Sequence, residues 1–330
     1  MKNRRSLKLL AAVGLFAAAN GFLNATLAVA QTVAQRIGVL IPGKNYEPVV
    51  AGLRDGLLKL GYKDGANVSY LVEVSVNESL ALSRAAEKLV QAKPDLIFAV
   101  TTPSALAVKH ATSGLAVVFV SVGVPVESGL VAAFASSGNN FTGISSYVAS
   151  LSGKRLELLK EIAPKTKKIL LISSSREEIS QLSARHSEEA ARQFGMQILR
   201  RDMASESDFD KLLLERWAGP VDAVSLVPSA LSGSYIERII VKANQERLPT
   251  IVYENTLVKM GALASYGSDR FSTGVQAANL VVKILKGGKP RDIPIETPEH
   301  LIVTINRATA KVIGLKIPGP VLERADGFVD

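Results

Sequence analysis

From Arg36 onward, short apolar runs rich in β-branched residues alternate with longer segments whose apolar positions recur every three to four residues. That alternation is the pattern of a parallel sheet covered by helices. It predicts strands over Ile37–Ile41, Val68–Val74, Leu96–Val100 and Val117–Ser121, with a short return near Thr142–Ser145. Between them it predicts helices over Pro48–Leu60, where Val49, Leu53, Leu57 and Leu60 share one face, and Leu80–Gln91, which ends before Pro94. Gly61 and Gly65 mark the exit of the first helix and the turn after it. The rhythm then restarts. Strands are expected over Ile169–Ile172, Met196–Arg201, Ala223–Val227 and Thr250–Val252, with helices near Glu177–Phe194, Phe209–Trp217 and Tyr235–Glu246. The two series are about equally long, so the expected fold is α/β, with two doubly wound parallel-sheet lobes and a ligand cleft between them. A helix over Gly153–Ile162 sits at the changeover. No short-period repeat and no Pro/Gly/Ser-rich tether separates the series, so ordinary chain crossings form the hinge.

The first thirty residues change the reading of charge. Lys2, Arg4, Arg5 and Lys8, an apolar run from Leu9 to Ala19, and Ala28-Val29-Ala30 before Gln31 read as a secretory signal cleaved after Ala30. The pair Arg4-Arg5 also fits a twin-arginine signal, but ordinary signals begin with basic pairs too, and the ordinary route is preferred. The whole chain carries 39 Lys+Arg against 30 Asp+Glu. Without the four basic residues of the signal, 35 basic residues face 30 acidic ones, a net charge of +5. These charges are dispersed, which reads as a solvated surface and not as a nucleic-acid footprint. Leu115–Val126, the most apolar stretch after the signal, is interrupted by Pro125 and too short to span a bilayer. A soluble periplasmic protein, monomeric in solution, is expected.

Composition and motifs then remove several chemistries. There is no cysteine, hence no disulfide, thiolate metal site, cysteine nucleophile or lipid-modified N-terminal Cys. G-x-S-x-G, H-E-x-x-H, G-x-G-x-x-G and Walker A patterns are absent, and Ser152-Gly153-Lys154-Arg155 lacks the flanking residues of the last. His110, His186 and His300 are far apart, which suits surface or capping roles better than metal ligation. The adjacent pairs Glu177-Glu178 and Glu188-Glu189 do not face one another on a helix, and Ser175-x-x-Glu178 reads as a capping box. Trp217 reads as core packing. No cofactor, metal site or enzymatic reaction is expected.

Small polar residues instead gather where strands end. In open α/β sheets ligands bind beyond the carboxyl ends of strands, where helix N-termini present free N–H groups. In the first series these positions hold Asn45 and Tyr46; Thr101, Thr102 and Ser104 around Pro103; Ser121; Ser145 and Ser146. In the second they hold Ser173, Ser174 and Ser175; Ser229; Tyr253 and Glu254; Tyr266, Ser268 and Asp269. Any one hydroxyl alone reads as an N-cap. The collection predicts a cleft closing on a small polar molecule, with no nucleophile or base arranged for reaction. Its anionic end would meet Thr101-Thr102-Pro103-Ser104, with Pro103 in the first helical position. Tyr253, Glu254 and Asp269 would read the remainder, and Tyr46 or Tyr253 would cover an apolar part.

The chain resembles a known family in several stretches taken together. These are Thr102-Pro103-Ser104-Ala105, Pro125-Val126-Glu127-Ser128-Gly129-Leu130-Val131, Asn140-Phe141-Thr142-Gly143-Ile144, Leu156-Glu157-Leu158-Leu159-Lys160, Val227-Pro228-Ser229 and, above all, Lys259-Met260-Gly261-Ala262-Leu263-Ala264-Ser265-Tyr266-Gly267. The tail segments Leu285–Pro290, Ile293–Pro298 and Ile305-Asn306 fit as well. Over residues 35–330 the sequence is similar to ABC-transporter substrate-binding proteins, the family that includes the tryptophan/tyrosine-type binding components. The resemblance implies a type I periplasmic-binding-protein fold that delivers its ligand to a membrane permease and needs no cofactor. It also implies a first lobe of residues 31–145 plus about 268–292, and a second of 146–267 plus about 293–330. Val124-Pro125 and Ser229-Ala230 stand where the family often carries acids, so two contacts to an amino-acid ammonium are missing. Glu254 and Asp269 are candidate substitutes, or else the ligand has no ammonium. A transcription regulator of the same fold would need a helix-turn-helix ahead of Ile37, where only the signal lies. A sensory module presenting ligand to a membrane receptor is the nearer alternative, and an exported α/β enzyme the more distant one.

Overall fold

The computed structural model describes residues 34–76, 78–229, 231–233 and 235–330. The expected export signal and its expected cleavage after Ala30 lie outside the described residues, as does Ala230. Strand β1 (Gln35–Ile41) is followed by α1 (Glu47–Lys59), β2 (Val68–Val74), α2 (Ser79–Gln91), β3 (Leu96–Val100), α3 (Thr102–Ala111), β4 (Ala116–Val122) and β5 (Phe141–Ser145). The five strands form one parallel sheet in the order β2-β1-β3-β4-β5. Because both faces are covered, the inner strand β3, β4 as far as Val120 and most of β1 are continuously apolar, whereas the edge strand β2 carries Ser69 and Glu73 and is mostly half-buried or exposed. Ile37, Val39 and Ile41 pack with α1 on one side, while Leu40, Ile97 and Ala99 pack with α2 and α3 on the other.

Helix α4 (Ser152–Ile162) leads into the second series: β6 (Lys168–Ser174), α5 (Glu178–Gln193), β7 (Gln197–Met203), α6 (Glu206–Leu214), β8 (Ala223–Leu226), α7 (Ile236–Gln245), β9 (Thr250–Val252), α8 (Asn255–Lys259) and β10 (Ala264–Ser268). The order β7-β6-β8-β9-β10 repeats the topology of the first sheet. After α9 (Arg270–Leu285) the chain adds β11 (Leu301–Asn306), antiparallel to β10, then α10 (Arg307–Val312), α11 (Gly319–Glu323) and the edge strand β12 (Gly327–Val329).

Three passages connect the sheets. The first is 146–151, between β5 and α4. At Asp269 the chain leaves β10 for α9, which packs along α1. Beyond α9, the Glu296 N–H donates to Gly143 O and the Ser145 N–H donates to Glu296 O, so the chain follows β5 to that point before returning at 297–300 to β11.

Two helix starts differ from the sequence expectation. Ser175 and Glu178 form no capping box; α5 is capped at Glu177, whose carboxylate turns away to receive Ser229 Oγ and the Leu231 N–H. The capping box lies instead at Ser205 and Asp208, which starts α6 three residues ahead of Phe209 and leaves Trp217 beyond the helix. Trp217 is buried against Leu212 and Val221, as a packing residue should be. Its backbone N–H and that of Ala218 donate to Glu246 Oε2 at 2.7 and 2.6 Å, while Lys242 Nζ donates to Oε1. Burial alone would raise the Glu246 pKa, but the bonds from Lys242, Ala218 and Trp217 outweigh it and the net shift is downward. A depressed carboxylate pKa stabilises the fold above the unfolded value, near 4.5, and that contribution disappears as pH falls through the folded value. Glu246→Ala should therefore cost about 2 kcal/mol at neutral pH, by urea unfolding, with the difference from the parent shrinking below about pH 4. A difference independent of pH would refute this role.

Candidate ligand-binding site

In doubly wound sheets the crevice opens where strand order reverses. Here the reversals lie between β1 and β3 in one sheet and between β6 and β8 in the other. The first brings together the turn Lys44–Tyr46 and the start of α3; the second brings together Ser173–Glu177 and Val227–Ser229. The segment after β4 approaches α5 closely: a side chain on Gly123 would meet Ile179 at 2.7 Å.

The start of α3 is strained. Thr101 has φ 79 and ψ 160, a region that normally only glycine occupies. Its Oγ1 and that of the fully buried Ser104 have no hydrogen-bond partner. Thr102 opens the helix with Pro103 second, one position later than expected, and Thr102 Oγ1 accepts from the Gly123 N–H at 3.4 Å. Ser121, at a bulge in β4, also has positive φ, 56°.

A second cluster holds two tyrosines and an ion pair. Arg270, 8% exposed, donates from Nη2 to Glu254 Oε2 at 2.5 Å and from Nη1 to Asn45 O, and its guanidinium stacks 4.2 Å from the Tyr46 ring. Burial raises the Tyr46 pKa, with Arg270 opposing and Glu254 adding. Burial likewise drives the Tyr253 pKa well above the usual phenol range, with Glu254 and Tyr46 adding to it. Both phenols are thus neutral O–H groups at physiological pH, able to donate to an acceptor.

Several candidate side chains serve the fold directly. Ser145 Oγ donates to Val122 O and accepts from the Tyr147 N–H. Ser173 Oγ donates to Asp202, Ser174 Oγ accepts from the Arg176 N–H, and Ser229 Oγ donates to Glu177. Asp269 caps α9 by accepting from the Ser272 N–H. Tyr266 packs against the core beneath β10. Ser146 is half-buried beside the first passage, its N–H donating to Val122 O.

Three residues that the sequence reading passed over are prominent here: Glu177, Arg270 and Arg155. Arg155 of α4 is 3% exposed. Its Nε donates to Tyr266 O and its Nη1 to Val148 O, both at 2.8 Å, while Nη2 has no partner. Burial lowers its pKa to about 9, which leaves it a cation at neutral pH. A detectable signal exists for both arginines. Arg155 falls on the apolar stripe of Leu151, Leu158, Leu159 and Ile162, and Arg270 on that of Gly274, Ala277 and Val281. A cation on a buried stripe requires a partner.

Among the described residues no group of His, Cys, Asp and Glu is arranged to hold a metal ion, and no helix is long and apolar enough to cross a membrane. Two surface hollows, one beside His186 between α4 and α5 and one beside Trp217, lie away from the strand ends.

Two parallel-sheet lobes of matching topology, joined by three passages around a crevice, define the type I periplasmic-binding-protein fold. Within that class the chain belongs to the ABC transporter substrate binding protein family, whose model matches residues 35–329. A tyrosine-binding protein from Clostridioides difficile is 29% identical over 280 residues, covering 85% of this chain and 80% of that one. An ABC domain from Streptococcus pneumonia, solved in complex with L-Trp, superposes with a TM-score of 0.79 at 25% identity, over 90% of this chain and all of the other. A conserved domain protein from Vibrio cholerae gives 0.78 at 28% identity, over 90% of this chain and 99% of its own.

Proposed function

We propose that this protein is the periplasmic solute-binding component of an ABC importer, holding a small carboxylate-bearing aromatic molecule between its lobes and presenting it to a membrane permease. It acts as a monomer, without a cofactor and without a reaction of its own. The export signal supports the location. The tyrosine-binding relative and the L-Trp complex support an aromatic ligand, and Tyr46 and Tyr253 supply ring faces and O–H donors to receive it. The observation that carries the reading is the start of α3. Strain at Thr101 positions two buried, unpartnered hydroxyls, those of Thr101 and Ser104, beside the free N–H groups of a helix N-terminus. An anion suits that arrangement, gaining charge-assisted hydrogen bonds and a favourable helix-end potential.

Replacing Thr101 by glycine separates function from stability because the two should move in opposite directions. The strained backbone costs about 1–3 kcal/mol and glycine relieves it, less about 0.5–1 kcal/mol of extra chain entropy. Thr101→Gly should therefore unfold at higher urea concentration, gaining about 1 kcal/mol. The same change removes one charge-assisted hydrogen bond of about 1.5–3 kcal/mol, so affinity should fall at least about tenfold. A thermal-shift screen of aromatic amino acids and aromatic acids supplies the probe, since a hundredfold excess over Kd adds about 2.7 kcal/mol of stability. Calorimetry on parent and variant then reads the affinity. A stabilised variant binding within twofold of the parent would remove Thr101 from the site.

A further inference from the structure

Each of the three passages between the sheets is anchored on both sides, with a single residue left between the anchors. In the first passage the Ser146 N–H donates to Val122 O of β4 at 2.9 Å. Two residues later Val148 O accepts from Arg155 Nη1, and Arg155 Nε donates to Tyr266 O, both at 2.8 Å. One buried guanidinium on α4 therefore joins the first passage to β10, the strand that leads into the second. Only Tyr147 lies between Ser146 and Val148, and its φ of 53° falls in the left-handed region. Its own bonds, from its N–H to Ser145 Oγ and from the Leu151 N–H to its carbonyl, are longer, both 3.3 Å.

The other two passages are pinned in the same way. In the second, Ser268 still pairs with Leu301 of β11, while Arg270, which opens α9, is tied to Asn45 O; Asp269 alone joins them. In the third, Gln276 of α9 is 7% exposed and makes three bonds to the passage. Its Nε2 donates to Glu296 Oε2 at 2.9 Å and to Thr297 O at 3.0 Å, and its Oε1 accepts from the Glu299 N–H at 3.1 Å. Leu301 already belongs to β11, so His300 alone is left.

On a buried helix face an apolar residue packs without the desolvation cost that Arg155 and Gln276 both carry. What these two side chains supply, and an apolar one does not, is directional bonding to several main-chain groups at once. The planar guanidinium fork fixes two carbonyls relative to each other, and the carboxamide both donates and accepts. Clamps of this kind confine a rotation of the lobes to the residues between them, as in hinges made of a few residues at element ends.

Resting on the function proposed above, we propose that Arg155 and Gln276 are positioning residues for ligand capture, clamping the three passages so that the lobes turn about Tyr147, Asp269 and His300. The clamps keep the ligand-free lobes near the arrangement that binds, and neither touches the ligand.

Two variants test this on the purified protein. Arg155→Lys keeps the charge but loses the fork, and Gln276→Met keeps the side-chain length but none of the three bonds. Calorimetry would use L-tyrosine and L-tryptophan as probes, with small-angle scattering on the ligand-free and probe-saturated forms. Each variant should weaken every probe that the parent binds by about tenfold, because a smaller fraction of the free protein holds the binding arrangement. The factor should agree between probes within about twofold, since the clamps act on the lobes and not on the ligand. Ligand-free variants should have a larger radius of gyration than the ligand-free parent, and the saturated forms should coincide. A residue that only stabilises its own lobe would lower the unfolding midpoint and leave affinity and radius where they were. Affinity within about twofold of the parent together with an unchanged ligand-free radius, in either folded variant, overturns the inference, as does a loss differing more than about fivefold between probes. If one variant does not fold, the other decides. Should the parent bind neither probe, the proposed aromatic ligand fails, and the ligand-free radius still decides the clamps.

Discussion

Gly274→Ala should destabilise the protein by at least about 3 kcal/mol, although a glycine-to-alanine change inside a helix ordinarily stabilises by about 0.5–1 kcal/mol. The sign reverses because α1 and α9 pack backbone to backbone. A methyl group at Gly274 would lie 2.0 Å from Val49 O and 2.8 Å from Leu53 N, and one at Gly52 would lie 2.0 Å from Phe271 O. Gly56 meets Ala278 and Val275 in the same way. None of these obstacles is the end of a flexible side chain, so relief requires the helices to separate. Separation opens the layer in which Val49, Leu53, Ala277, Ala278 and Val281 are packed, which places the cost at or beyond the upper end of the usual 1–3 kcal/mol for overpacking. Urea unfolding measures it, and the melting temperature should fall by roughly 5–10 °C. Gly319→Ala, at the first position of α11 with open space around it, is the control and should be neutral or slightly stabilising. A loss below 1 kcal/mol at Gly274 would mean that the two helices can slide apart freely.

The same contact shows what periodicity can and cannot convey. The strands were legible because burial on both faces leaves short continuous apolar runs, and the helices between them because their burial repeats every three to four residues. Partner choice has no such signature. Nothing in the local pattern says that Gly52 and Gly274 meet, or that Arg155 reaches Tyr266 more than a hundred residues away. Helix starts were misplaced for a related reason. Ser175-x-x-Glu178 and Ser205-x-x-Asp208 are both acceptable capping boxes in sequence, but only the second forms; α5 is capped at Glu177, whose carboxylate is held by Ser229 and Leu231. In the candidate site, position was legible and commitment was not. Thr101, Ser104, Tyr46, Tyr253 and Glu254 lie at strand ends as expected, yet Ser145, Ser173 and Asp269 occupy equivalent ends and are consumed by the fold. Only the spatial inventory of partners separates a hydroxyl left open from one already satisfied.

Arg270→Met should weaken ligand binding by about 30- to 100-fold, because Arg270 fastens one lobe to the other at the mouth of the candidate cleft. It belongs to the helix that packs on α1, and its carboxylate partner, Glu254, follows β9 of the second sheet. Its Nη1 donates to Asn45 O, and its guanidinium covers Tyr46. Removing one member of a deeply buried pair strands the other charge at about 3–5 kcal/mol. Glu254 keeps 23% of its side chain accessible, so about 2–3 kcal/mol is the appropriate expectation here. That loss falls on the arrangement in which the lobes meet, and affinity for any ligand that needs this arrangement falls with it. Glu254→Gln should act similarly, with a smaller loss because the amide still accepts from Arg270. The double variant should recover part of the deficit, giving a coupling energy of at least about 1 kcal/mol in a double-mutant cycle on binding, since residues in direct contact are not additive. Each lobe has its own core, so the melting temperature of the ligand-free variants should change less than their affinity. Single variants that bind within threefold of the parent, or losses that simply add, would show that the Arg270–Glu254 pair plays no part in holding the lobes around ligand.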